Sequence, residues 1–107
     1  MQNLKQLDAA LENIDKAIEL APDYALAYSN RGGVLNEMKQ FRLALESLEK
    51  AMLLNPPAYD LCKIYNNIGN AYMGCGHQGT AFAYYGKAAE LSLDFAEVYG
   101  TVFNMVI

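Results

Sequence analysis

The stretch LALESLEKAMLLNP, residues 43–56, decides the fold because the chain contains the same pattern twice more. Residues 9–22, AALENIDKAIELAP, match it at a shift of 34, with alanine, lysine and proline in the same slots. Residues 80–93, TAFAYYGKAAELSL, match it at a shift of 37, and Leu93 stands in the proline slot. A fixed period of this length is typical of repeat architectures, in which each unit packs on its neighbours.

A second kind of helical segment lies between these copies. Residues 27–41, AYSNRGGVLNEMKQF, match residues 64–78, IYNNIGNAYMGCGHQ, again at a shift of 37. Each repeat is therefore a pair of helices, here called A and B, joined by a short turn, and Asp23 and Asp94 fit helix starts. The sequence predicts an all-α chain with no strand. The expected helices are 7–20, 24–38, 41–54, 59–74, 78–91 and 95–107.

Small and large side chains recur together at fixed slots of these helices. Gly32 and Gly69 allow helix A to approach helix B closely where Ala44 and Ala81 add no bulk, while tyrosine and leucine fill the space between. The full pattern reads Tyr28, Gly32, Leu35, Ala44, Leu48, Ala51 and Pro56, and then Tyr65, Ile68, Gly69, Tyr72, Ala81, Tyr85 and Ala88. It resembles the tetratricopeptide repeat over essentially the whole chain.

The resemblance implies a right-handed α-solenoid of antiparallel helix pairs, forming a single domain over residues 1–107. We expect a half repeat (helix B) at 1–22, full repeats at 23–56 and 57–93, the second with a three-residue insertion, and a half repeat (helix A) at 94–107. Three residues depart from the family pattern: Arg31 stands where the family usually has leucine, Leu93 stands in the proline slot, and Phe103 stands where the family has glycine. Among the tyrosines, Tyr59 and Tyr84 are expected to be exposed.

Three asparagines in YNNIGNAY, residues 65–72, lie on one face of the expected helix. Successive residues of a helix are about 100° apart, so the packed face consists of Tyr65, Ile68, Gly69 and Tyr72. The residues two positions before each of these lie about 200° around the helix, on the opposite face. That opposite set is Lys63, Asn66, Asn67 and Asn70. The same offset gives Leu26, Ser29, Asn30 and Gly33 in the preceding A helix, and includes Asn104 in the last one.

In a tetratricopeptide superhelix the A helices line the concave surface, so the resemblance implies that this polar face borders a groove. An amide can donate to a peptide carbonyl and accept from a peptide N–H, whatever the peptide's side chains. Such a ladder resembles that of tetratricopeptide proteins that hold extended peptides, and we expect a noncatalytic protein-interaction module that binds a peptide segment. The competing interpretation is an ordinary solvated face, although lysine, glutamate or glutamine would favour the helix more than asparagine. The expected peptide-binding residues are Asn30, Lys63, Asn66, Asn67, Asn70 and Asn104.

The last stretch, AEVYGTVFNMVI at residues 96–107, is more apolar than a solenoid end usually is. One explanation is that the chain is a fragment of a longer array. Another is that a second copy covers this helix in a homo-oligomer or domain-swapped dimer, and a third is that the helix folds back. Self-association is thus the alternative function. Its expected residues are Val102, Phe103, Val106 and Ile107.

Other classes of function find little support. The net charge of −4 comes without a block of Lys or Arg, which disfavours nucleic acids and anionic membranes as partners. No signal peptide or membrane span is apparent, so a cytoplasmic location is expected. His77 has no nucleophile or carboxylate at a catalytic spacing, and we expect neither an enzyme nor a metal or cofactor site. A carboxylate clamp needs several converging cations, but Lys63 has no cationic neighbour on its face and Glu97 would oppose it.

Overall fold

The structure is a computed structural model that describes residues 4–95, and the side chains of residues 4–92. The described part contains five α-helices and no strand, which confirms the prediction of an all-α solenoid. The helices are α1 (Leu4–Leu20), α2 (Ala25–Glu37), α3 (Phe41–Leu53), α4 (Ala58–Gly74) and α5 (Gln78–Phe95). The predicted sixth helix, 95–107, lies outside the described residues except for its first position.

The end of α5 differs from the prediction. This helix continues to Phe95, beyond the expected end at residue 91, so that Asp94 lies within α5 rather than at the start of a new helix. The physical reason is the residue in the proline slot. Leu93 keeps its backbone N–H and its full torsional freedom, so it does not terminate a helix as a proline would.

Both A-to-B turns are closed in the same way. Lys39 after α2 and Gly76 after α4 adopt the left-handed conformation, with φ of 63° and 85°. The next N–H in each case reaches back to a helix carbonyl, from Gln40 to Leu35 at 2.8 Å and from His77 to Tyr72 at 2.9 Å. These bonds satisfy carbonyls that the helix ends leave free. The turns fold α3 back onto α2, and α5 back onto α4.

The core lies between α2, α3 and α4. The buried face of α3 is Ala44, Ser47, Leu48 and Ala51, which is the i, i+3, i+4, i+7 spacing of one helix side. Leu48 and Ala51 form a cluster with two isoleucines of α4, Ile64 and Ile68. Burial of this stripe holds the second repeat against the first.

The expected close approach at the two glycines is present. A methyl group built at Gly32 would lie 2.5 Å from Leu48 Cγ, and one built at Gly69 would lie 2.6 Å from Tyr85 Cε1. These distances are far below van der Waals contact, so the partner side chains occupy the space that the missing side chains leave. Leu48 and Tyr85 thus occupy equivalent positions in successive repeats.

The tyrosine predictions have a mixed outcome. Tyr59 is 66% exposed, as expected, but the expectation for Tyr84 is wrong. Its ring is half-buried and stacked on Tyr72, with ring centroids 5.7 Å apart and an interplanar angle of 12°. Adjacent residues on a helix differ by only about 100°, so Tyr84 and Tyr85 can both face α4.

Candidate peptide-binding face

The candidate site lies where the two A helices, α2 and α4, pack side by side. Five of the predicted residues are on these helices, and we call them the asparagine face: Asn30, Lys63, Asn66, Asn67 and Asn70. Asn104 lies outside the described residues, and so do the predicted self-association residues Val102, Phe103, Val106 and Ile107. Self-association therefore stays a prediction.

The inner part of the face joins the two helices. The half-buried Asn67 amide donates to the backbone carbonyl of Ser29 at 3.3 Å and lies 3.5 Å from the Ser29 hydroxyl. In the other direction, Asn36 Nδ2 donates to the Asn67 carbonyl at 2.9 Å. Gly33 of α2 lies beside this contact, and a methyl group built there would sit 3.6 Å from Asn67 Nδ2, an ordinary van der Waals distance. Asn67 is thus a structural link between repeats as well as a member of the face.

One position assigned to the polar face is wrong. Ser29 shares the helical offset of Asn30, yet its side chain is completely buried. The reason is that α4 packs over this part of α2 and Asn67 covers the serine. A helical angle predicts which side a residue faces but does not report whether the neighbouring helix covers that side.

The outer part of the face is accessible. Lys63, Asn66 and Asn70 are exposed and Asn30 is half-buried. The Lys63 ammonium donates to Asn30 Oδ1 at 3.2 Å, which connects α4 to α2. The Tyr85 hydroxyl donates to Asn70 Oδ1 at 2.5 Å and leaves the Asn70 NH₂ available. Within the described residues, the Asn66 amide has no hydrogen-bond partner.

The available groups suit a peptide main chain. Asn66 offers both a carbonyl oxygen and an NH₂, and Asn70 and Asn30 each offer an NH₂. Lys63 adds one positive charge and is the one ionisable residue among the five of the asparagine face. This set can bond to backbone carbonyls and N–H groups and can attract one acidic side chain.

Sequence reasoning missed the interior polar contacts. Asn36 was not singled out, although it bonds across to α4, and its Oδ1 is buried without a donor in the described part of the chain. The signal that could have found it is weak. Asn36 stands one residue before the end of α2, a place where an asparagine is ordinary.

The described residues offer little else for chemistry. Across residues 4–92, no three or more His, Cys, Asp or Glu side chains come together in a group that could hold a metal ion. Among the described helices, none combines the length and apolar character that a membrane span requires.

A family model described as tetratricopeptide repeat matches residues 2–24, 25–57 and 63–95. The chain belongs to the tetratricopeptide-repeat family. This confirms the family that the sequence pattern predicted. Tetratricopeptide-repeat proteins such as the relatives described next are protein-interaction modules.

This tetratricopeptide-repeat chain is similar to segments of longer proteins. It is 37% identical over 89 residues to heat shock protein STI1 of Saccharomyces cerevisiae, covering 81% of this chain and 14% of that protein. It is 34% identical over 86 residues to the Hsp70-Hsp90 organizing protein of Triticum aestivum, covering 80% of this chain and 14% of that protein. The crystal structure of MamA protein superposes with a TM-score of 0.69 and 33% identity, covering 85% of this chain and 48% of the MamA chain. The chain thus spans a small part of the first two relatives.

The two neighbouring asparagines of α4 should differ in their effect on stability. Asn67→Ala removes the amide that bonds to Ser29, and a hydrogen bond of this kind contributes about 0.5–1.5 kcal/mol net. Asn66→Ala removes no bond within the described chain and makes the same gain in helix propensity. We expect the Asn67 variant to be less stable than the Asn66 variant by about 1 kcal/mol, measured by urea denaturation. Equal stabilities would mean that Asn67 does not link the repeats.

Proposed function

We propose that this chain is a protein-interaction module that binds an extended peptide segment along the asparagine face. The observation that carries the proposal is the row of exposed groups on one side of α4: Lys63, Asn66 and Asn70. These residues follow the i, i+3, i+7 spacing, and at 1.5 Å per residue the row is about 10 Å long. An extended peptide advances about 3.3 Å per residue, so the row matches roughly three peptide residues.

The contacts within the face separate a residue with a structural role from residues that are available to a ligand. Asn67 is engaged with Ser29 and supports the junction of α2 and α4. Asn66 and Asn70 are exposed, and the Asn66 amide and the Asn70 NH₂ are the proposed main-chain contacts. Lys63 is held at 3.2 Å from Asn30, and an acidic peptide side chain would replace that neutral oxygen by a charged acceptor, which forms a stronger hydrogen bond.

The proposed ligand is an internal segment of a protein rather than a free carboxyl terminus. A terminal carboxylate is held best by several cations, and Lys63 is the one cation of the asparagine face. Arg31 cannot join it, because its guanidinium bonds to Asp15 and Ser47 on the side of α2 that faces α1 and α3. The names of two relatives refer to heat shock proteins, and segments of such proteins are a source of test peptides.

The proposal is tested with a peptide library in which both termini are blocked by acetylation and amidation. A selected binder is then titrated by fluorescence anisotropy against Asn66→Ala/Asn70→Ala. Two or three hydrogen bonds are lost, each of about 1 kcal/mol, so the Kd should rise by roughly thirty- to 150-fold. The double variant should keep its helical circular dichroism, because both side chains are exposed.

The matched control is Asn13→Ala, which makes the same chemical change at an exposed position of α1. It should leave the Kd unchanged. Wild-type affinity in the double variant would contradict the proposal. Binding of peptides with free carboxyl termini alone would also contradict it, and would favour a carboxylate-binding site instead.

A further inference from the structure

A cleft of about 310 Å³ opens between α1 and α3, on the side of α2 away from the asparagine face. Its walls include Ile18 from α1 and Lys50 from α3, and its floor includes Tyr28 and Arg31 from α2. Ser47 of α3 lies at the base and is buried. The cleft is therefore built from both helices of one repeat and the second helix of the repeat before it.

The next repeat shows what this space can hold. At the shift of 37, Ser47 corresponds to Tyr84, and Lys50 corresponds to Lys87. The Tyr84 ring stacks on Tyr72 at 5.7 Å and lies 6.0 Å from the Tyr65 ring. Lys87 Nζ stands 4.9 Å from the centre of the Tyr84 ring. The second full repeat therefore fills this position with the phenol ring of Tyr84, whereas the first has Ser47 and an open cleft. We call this position, next to helix A at the contact with the preceding repeat, the junction.

Hydrogen bonds hold Arg31 at the floor of the cleft, whose lining also includes the exposed side chains of Glu46 and Lys50. Arg31 Nε donates to Asp15 Oδ1 at 3.0 Å, and Arg31 Nη1 donates to Ser47 Oγ at 2.6 Å. The corresponding residue in the next repeat is Ile68, which has no polar group. The cleft thus adds a charged donor and a buried hydroxyl to an aromatic-sized space. A bound group should carry an oxygen as well as a ring.

We propose that this cleft binds the side chain of a tyrosine presented by a protein partner. The ring would lie against Ile18 and Tyr28, with the Lys50 ammonium over its face, as Lys87 lies over Tyr84. A cation in that position attracts an aromatic ring but not an aliphatic one. The phenolic oxygen would bond to Arg31 or Ser47 at the base. This site is separate from the asparagine face and does not depend on the function proposed for it.

The probe is p-cresol, the side-chain analogue of tyrosine, titrated into the ¹⁵N-labelled chain and followed by NMR. A ligand of this size should bind with a Kd on the order of 1 mM. We expect shift changes concentrated at Arg31, Ser47 and Lys50, and nuclear Overhauser contacts from the ring protons to Ile18 and Tyr28. Cyclohexylmethanol, of similar size without an aromatic face, should bind more weakly. Contacts located elsewhere in the wild-type chain would overturn the proposal without any variant.

Variants that exchange the two junctions provide the second test. Arg31→Ile/Ser47→Tyr copies the filled junction and should weaken p-cresol binding at least about tenfold. Tyr84→Ser removes the ring that fills the next repeat and should produce a second set of shift changes around Tyr65 and Lys87. Asn66→Ala/Asn70→Ala should leave p-cresol binding unchanged, so that this site and the peptide site are tested independently. Unaltered binding in the filled variant, with its helical circular dichroism retained, would also overturn the proposal.

Discussion

Replacement of Leu48 by alanine is expected to lower the free energy of unfolding by about 2–5 kcal/mol. Leu48 is 0% exposed and packs with Ile64 and Ile68 in the cluster between the two repeats. The substitution removes buried apolar surface and leaves a cavity that the surrounding helices cannot close completely. Since the free energy of unfolding of small domains is only about 5–15 kcal/mol, the variant should lose a large fraction of it. Urea denaturation followed by circular dichroism measures the change.

The matched control is Leu53→Ala, the same chemical change in the same helix. Leu53 is 77% exposed, and a surface substitution of this kind is usually within about 0.5 kcal/mol of neutral. A large difference between the two variants would establish that the α3 stripe holds the repeats together. Equal losses would mean that helix propensity, rather than burial, sets the stability.

The helices could be predicted from the sequence because their determinants are local. The range predicted for α3, 41–54, differs from the observed Phe41–Leu53 by one residue at its end. The buried stripe of α3 follows directly from the spacing of its apolar residues. The pairing of helices followed from the repeat, because a pattern that recurs after 34 or 37 residues has to recur in space as a packed unit.

The contacts of the polar face could not be predicted, because they depend on the distance between two helices. The helical angle placed Ser29 and Asn30 on one side of α2, yet α4 covers only the serine. Asn67 reaches Ser29 because α2 and α4 pack side by side at this point. The sequence shows the amides but not which of them the fold uses internally.

Contacts between side chains far apart in sequence could not be predicted either, because they also depend on how closely the helices approach each other. Gly74 is the last residue of α4, and an added methyl group there would overlap the Phe41 ring of α3, a contact that no local sequence pattern indicates. The partnership of Arg31 with Asp15 and Ser47 joins three helices. The sequence indicated only that Arg31 was unusual for its slot.

Replacement of Gly32 by alanine is expected to lower the free energy of unfolding by about 1–3 kcal/mol. Glycine to alanine within a helix normally raises stability by roughly 0.5–1 kcal/mol, because alanine loses less conformational entropy. Here the new methyl group would lie 2.5 Å from Leu48 Cγ and 2.7 Å from Leu48 Cδ2. Leu48 is buried on all sides, so it cannot turn away and α2 must move from α3. Thermal and urea denaturation measure the effect.

Two further variants isolate the cause of that loss. Gly86→Ala makes the same change in α5, where an added methyl group would meet nothing within 4 Å, so it should stabilise the chain by roughly 0.5–1 kcal/mol. In the background of Leu48→Ala the methyl group at position 32 has room, and Gly32→Ala should then cost little or be stabilising. The double-mutant cycle should therefore show a coupling of about 1–3 kcal/mol between the two sites. Additive effects would show that the glycine serves some purpose other than the approach of Leu48.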